Sequence, residues 1–141
     1  MSIAVFESHS CAETEKIAES IAKNAVAGEV YAMKGDLGAG KTCFTRGFAL
    51  GMGYSGDVNS PTFELVNEYL GGRLDIYHFD MYRVDDWNDL YTTGYFEYLE
   101  MGGVLIIEWS ENIESALPES GTVTVTIECI GENDRRITVE R

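Results

Sequence analysis

Gly35-Asp36-Leu37-Gly38-Ala39-Gly40-Lys41-Thr42 is a complete G-x-x-x-x-G-K-[ST] phosphate loop, lying between an apolar run and a helical pattern, which is the context that motif requires. Gly35, Gly38 and Gly40 let the backbone take positive φ angles and approach a ligand closely, so that successive N–H groups converge on phosphate oxygens. The positive end of the following helix adds to that field. Lys41 reaches the β and γ phosphates as a point charge, and the Thr42 hydroxyl suits one coordination position on an accompanying Mg²⁺. The whole octapeptide, Asp36, Leu37 and Ala39 included, is therefore expected to hold a nucleoside triphosphate.

Upstream, Val30-Tyr-Ala-Met33 reads as the buried strand that delivers the chain into the loop. Before it, Ile3 and Val5 mark a short strand, Ser10 with Glu13 makes a capping box, and Ile17, Ala18, Ile21, Ala22 and Ala25 form a helical stripe stopped by Gly28. Downstream, a helix runs from Lys41 to near Gly51 or Gly53. Thr62 to Leu70 and Arg73 to Phe79 are strand-like, with Gly71-Gly72 between them as a tight hairpin turn. Residues 85 to 101 are aromatic and acidic with helical spacing that Gly94 interrupts. Val104-Leu-Ile-Ile107 is a buried strand, Ser110 to Ala116 makes one or two helical turns before Pro118, and Thr122–Ile127 with Arg135–Val139 form a terminal hairpin. Strands and helices alternate early and hairpins come late. That pattern predicts an α/β fold with a mixed sheet, parallel at its centre, and helices on both faces.

The 141 residues suit one domain, 1–141. With 24 acidic against 10 basic residues and a formal charge of −14, the surface repels nucleic acid and anionic membranes, so autonomous tRNA or DNA binding is not expected. Cys11, Cys43 and Cys129 are odd in number, widely spaced and without a C-x-x-C pair. Neither a disulfide framework nor a zinc site is expected from them, and a reducing cytoplasm fits. The amino terminus has no basic region followed by an apolar stretch, and no run approaches the ~20 apolar residues of a membrane span.

In such sheets ligands sit at the carboxyl ends of strands. That rule gathers Gly35 to Thr42, Asp80 and Glu108 at one edge, since each follows an apolar strand. A triphosphatase also needs carboxylates for Mg²⁺ and a group that orients the attacking water. Glu108, after four aliphatic residues, has the form of a Walker B acid, and Asp80 ends the preceding strand. The two divide metal binding and water activation in an order the residues leave open. Trp109 suits stacking on the base or packing at the core rim. His78 reads equally as a structural or a catalytic histidine. Arg83 is placed to approach the γ phosphate or to sit exposed. In Ser60-Pro61-Thr62-Phe63 a stiff turn carries two hydroxyls, which suits a switch loop.

The phosphate loop, then Ser60-Pro-Thr-Phe63, His78-Phe-Asp-Met-Tyr-Arg83, Gly94 with Glu97-Tyr98, and Ile107-Glu-Trp109, in that order and spacing, resemble the bacterial TsaE (YjeE) ATPases over nearly the whole chain. The resemblance implies the three-layer P-loop NTPase fold and a role in synthesis of threonylcarbamoyladenosine on tRNA. It implies an auxiliary subunit that binds and slowly hydrolyses ATP with Mg²⁺ in an assembly with TsaB and TsaD, where TsaD transfers the threonylcarbamoyl group and the tRNA is reached through the complex. Carried onto this chain, Lys41 contacts phosphate, Thr42 and Glu108 serve Mg²⁺, Asp80 supports metal or water, and Trp109 lies near the nucleotide.

A small-molecule kinase using the same loop is the alternative, although a kinase needs an acceptor pocket and an arginine-bearing lid for which this short chain shows no obvious segment. A nucleotide-binding scaffold without required hydrolysis is a third reading. No Asn-Lys-x-Asp segment is present to read guanine, which disfavours a GTPase.

Overall fold

The structure is a computed structural model that describes residues 2–35, 40–58 and 66–141. Asp36 to Ala39 of the phosphate loop, and Ser60 to Phe63 with their neighbours in 59–65, lie outside the described residues. In chain order the elements are β1 (Ile3–Ser8), α1 (Cys11–Ala22), β2 (Val30–Gly35), α2 (Lys41–Gly51), β3 (Val66–Tyr69), β4 (Ile76–Asp80), α3 (Trp87–Thr92), α4 (Tyr95–Leu99), β5 (Val104–Glu108), a 3-10 segment (Ser110–Ala116), β6 (Thr122–Cys129) and β7 (Arg135–Glu140). The strands form one sheet in the order β1-β7-β6-β2-β5-β4-β3. β6, β2, β5 and β4 run parallel at its centre, while β3 and the β6–β7–β1 meander are antiparallel. The mixed sheet expected from the alternation of elements is the one found.

Two apolar layers cover this sheet. On one face Ala18 and Ile21 of α1 and Phe44 and Phe48 of α2 pack on Tyr31, Met33, Ile106 and Val125. On the other, Leu90 of α3, Tyr95 of α4 and Ile113 of the 3-10 segment pack on Tyr77, Phe79, Leu105 and Ile107. Alternate residues of β4 and β5 thus feed opposite layers, as a pleated strand buried on both faces must do. The helical expectation for 85–101 resolves into two short helices because Gly94 takes a left-handed φ of 83° between them. Asp86 caps α3 through Asp89 N–H at 2.8 Å, as Ser10 caps α1 through Glu13 N–H at 3.1 Å.

Cys11 and Cys43 are joined in a disulfide, which corrects the expectation that the cysteines form no disulfide framework. Their separation of 32 residues carries no signal. The cause is tertiary. Gly47 and Gly51 lie one and two turns after Cys43, and they meet Glu15 and Glu19, one and two turns after Cys11. A Cβ on Gly47 would overlap the Glu15 carbonyl oxygen and lie 2.5 Å from its Cα, and one on Gly51 would lie 2.5 Å from the Glu19 oxygen. The two helices therefore touch backbone to backbone, and their first turns bring the cysteines to a Cα separation of 5.6 Å. Cys129 is exposed and free. Closure of a loop of that length stabilises by about 4 kcal/mol at most. Dithiothreitol should lower the urea midpoint by up to that equivalent, and the reduced protein should remain folded because the glycine contact persists. Unfolding on reduction would show that the disulfide, and not helix packing, holds α1 to α2.

Two smaller differences also have tertiary causes. Pairing of β3 with β4 begins at Tyr69 opposite Ile76, so the connection spans 70–75 and is not a two-residue turn at Gly71-Gly72. Arg73 uses the extra length to donate to the carbonyls of Ala22 and Ala25 at 2.7 and 3.0 Å, satisfying acceptors at the end of α1. Ile3 and Val5 are more than half exposed, since β1 is a sheet edge whose outer face nothing covers among the described residues. No helix of the described residues is long and apolar enough to cross a membrane.

Candidate functional site

β2, β5 and β4 are parallel neighbours, so their carboxyl ends share one edge of the sheet. Gly35 ends β2, Glu108 ends β5 and Asp80 ends β4, with Asp80 directly opposite Glu108 in the ladder. α2 starts six residues beyond Gly35, which sets its N-terminus at the same edge. Gly35 has φ 134° and its Cβ position would overlap the carbonyl of Ile127 on β6, so the close approach of β6 excludes a side chain there. Gly40 caps α2 with φ 101°, and a Cβ there would meet nothing within 4 Å. Its glycine is required by the left-handed conformation and not by crowding from the described residues. The described ends of the phosphate loop thus place a helix N-terminus at this edge, the kind of helix end that favours an anion.

Lys41 is buried to 8% exposure, and its Nζ lies 5.3 Å from the Trp109 ring centroid, within reach of a cation–π attraction. Trp109 has a left-handed φ of 58°, costing on the order of 1–2 kcal/mol for an L residue. That turn brings its ring against Tyr82, centroids 4.8 Å apart, and starts the 3-10 segment. Ser110 then anchors the turn by donating to the Met33 carbonyl at 3.0 Å. Asp80 is half-buried and accepts the Tyr82 N–H at 2.9 Å through Oδ1. Glu108 is buried, with Oε2 at 2.5 Å from His78 Nε2, and His78 Nδ1 lies 3.0 Å from the Tyr69 hydroxyl. The structure thus brings Gly35, Gly40, Lys41, Thr42, Asp80, Glu108 and Trp109 to one edge. Arg83 is exposed and has no ion pair among the described residues.

Some site features carried no sequence signal. Ser10, Cys11, Thr14, Gly40, Cys43, Asn133 and Arg135 line a cavity beside the start of α2, formed where the β6–β7 turn folds over the first turns of both helices. Only tertiary folding joins residues so far apart in the chain. The Tyr69–His78–Glu108 chain likewise depends on strand register. The phenols of Tyr31 and Tyr95, in contrast, belong to the core, where burial pushes both up to about 12, and they stay neutral at any working pH.

Among the described residues no cluster of three or more His, Cys, Asp or Glu could hold a metal by itself. The hydroxyl of Thr42 and the carboxylates of Asp80 and Glu108 are hard oxygen donors. They fit Mg²⁺, which is held through one or two carboxylates together with water and substrate phosphates and not by an all-protein cage.

A parallel sheet centre, a strand-to-helix phosphate loop at its carboxyl edge and two acids on the neighbouring strand ends define a P-loop NTPase-like protein. The model of the family described as threonylcarbamoyl adenosine biosynthesis protein TsaE matches residues 8–137. The chain belongs to the TsaE family. Among its relatives, the tRNA threonylcarbamoyladenosine biosynthesis protein TsaE of Bacillus subtilis is 44% identical over 126 residues, covering 89% of this chain and 78% of that protein. The protein of the same description from Treponema pallidum is 44% identical over 112 residues, covering 79% and 82%. The crystal structure of YdiB from Bacillus subtilis superposes with a TM-score of 0.84 at 36% identity, covering 98% of this chain and 84% of that one.

Proposed function

We propose that this protein is a single-domain, cytoplasmic ATP-binding subunit of tRNA threonylcarbamoyladenosine biosynthesis, which hydrolyses ATP slowly and changes its fit to TsaB and TsaD with nucleotide state. The observation that carries the reading is the in-register pairing of Asp80 with Glu108 beside a helix that opens with Lys41 and Thr42. Lys41, which rests over the Trp109 ring, would meet the β and γ phosphates, and Trp109 would lie near the nucleotide. Asp80 and Glu108 hold and orient the attacking water. Mg²⁺, when bound with the nucleotide, neutralises charge on the transferred phosphoryl group. Ser60 to Phe63 form a switch that senses the γ phosphate.

Family membership and the description shared by the relatives support the pathway. The charge of −14 supports a division of labour in which other subunits hold the tRNA. In a reducing cytoplasm Cys11 and Cys43 stand as thiols that the helix contact keeps side by side.

Calorimetry should detect MgATP binding by the protein alone, with feeble turnover that rises when TsaB and TsaD are added. A pull-down should recover those partners in a nucleotide-dependent way. Absence of MgATP binding by folded protein would remove the reading. Phosphate transfer to nucleosides or sugars, in place of release to water, would favour a kinase.

A further inference from the structure

We propose that His78 is a positioning residue for Glu108, holding its carboxylate through a hydrogen-bond chain whose direction is set by Tyr69. The inference rests on the reading of Glu108 as the acid that serves water or metal. Three residues on three adjacent strands make the chain. Tyr69 pairs with Ile76 on β4, His78 stands two residues further along β4 and opposite Ile106, and Glu108 stands two residues further along β5. Offsets of two keep all three on one face, as diagonal neighbours within side-chain reach. They are 3%, 1% and 8% exposed, so water does not compete for their bonds.

The polarity follows from the donor inventory. A carboxylate only accepts, so the bond between His78 Nε2 and Glu108 Oε2 at 2.5 Å requires the proton on Nε2. In the neutral ring Nδ1 then carries the lone pair, and the Tyr69 hydroxyl 3.0 Å away donates to it. The opposite direction would face a ring lone pair with a carboxylate oxygen. Tyr69 thus selects the tautomer, His78 ties down one carboxylate oxygen, and the second, Oε1, has no hydrogen bond among the described residues. This is the outer-shell arrangement that fixes the orientation of a reactive carboxylate. A histidine with a purely packing role needs neither a directed partner on each nitrogen nor a strand-end acid as one of them.

The test uses the full chain with its partners. His78→Leu removes the donor, His78→Gln restores an N–H near the Nε2 position, and Tyr69→Phe removes the hydroxyl that selects the tautomer. His78→Leu should lower ATP turnover about 10- to 100-fold, with the MgATP dissociation constant within about threefold of the parent. His78→Gln should recover most of the rate. In a Glu108→Gln background, His78→Leu should cost no further rate, because the group it positions is already disabled. NMR of ¹⁵N-histidine protein supplies a readout independent of turnover. The chain has two histidines, and His9→Gln assigns them. His78 should carry its proton on Nε2 in the parent, and Tyr69→Phe should mix the tautomers even if His78→Leu does not fold.

A proton found on Nδ1 in the parent would overturn the inference. So would a hydrolysing parent whose rate survives His78→Leu, or equal losses from Leu and Gln at this position. A folded parent that hydrolyses no ATP with or without partners overturns the ATPase reading as well, which separates the two failures.

Discussion

Glu108→Gln is expected to lower ATP turnover by roughly 10²- to 10³-fold, the cost of removing one preorganised electrostatic group from a water-excluded site. The amide is the informative replacement. It keeps an oxygen to accept from His78 Nε2, 2.5 Å away in the parent, so the buried imidazole is not orphaned and the fold is not confounded with the chemistry. Binding should change little, since the β and γ phosphates are gripped by the loop and by Lys41. Lys41→Ala is the complementary experiment, because it removes the ammonium that now rests over Trp109 and should weaken MgATP binding at least about tenfold. Calorimetry and single-turnover hydrolysis on both variants separate the two effects. Parental turnover in Glu108→Gln would show that Asp80, or a residue outside 2–35, 40–58 and 66–141, carries the water-activating role.

The second large effect is on stability. Gly47→Ala should cost about 3 kcal/mol or more, at the upper end of what overpacking a buried contact costs. The added carbon would sit 2.5 and 2.6 Å from the Glu15 Cα and carbonyl carbon. Neither is the tip of a flexible side chain that can swing away, so α1 and α2 must separate along their length. The opening would also pull on the Cys11–Cys43 bond and reshape the cavity beside Gly40. Urea unfolding monitored by circular dichroism gives the value, with Ser20→Ala on the exposed side of α1 as a control expected to stay within about 0.5 kcal/mol. A midpoint for Gly47→Ala equal to that control would mean the helices are not in backbone contact.

These two experiments probe features that differ in how far the chain alone discloses them. The acid at position 108 is visible because four aliphatic residues before it mark a buried strand, and a strand end is where a parallel sheet exposes chemistry. Asp80 is visible by the same rule. Strand alternation, the Ser10 cap and the break at Gly94 are local properties of short segments, so they too are legible. The interhelical contact is not. Gly47 reads as an ordinary weak point in a helix until Glu15 is seen opposite it, and the register that faces it to Glu15 is the same one that brings Cys43 to Cys11. The length of the β3–β4 connection is likewise settled by Arg73, which reaches across to α1, and not by the Gly71-Gly72 pair that suggests a tight turn.

Sequence by itself determined the α/β class, the phosphate loop from Gly35 to Thr42 and the order of the acids, because phosphate-cradling glycines, hydrophobic period and strand-end carboxylates are written in consecutive residues. Tertiary structure alone decided that Asp80 faces Glu108, that His78 and Tyr69 stand behind Glu108, that Lys41 rests over Trp109 and that Cys11 meets Cys43. Each of these is a matter of register between elements far apart in the chain, and register is set by which side chains the two packed layers must bury together, a condition that no short stretch of residues contains.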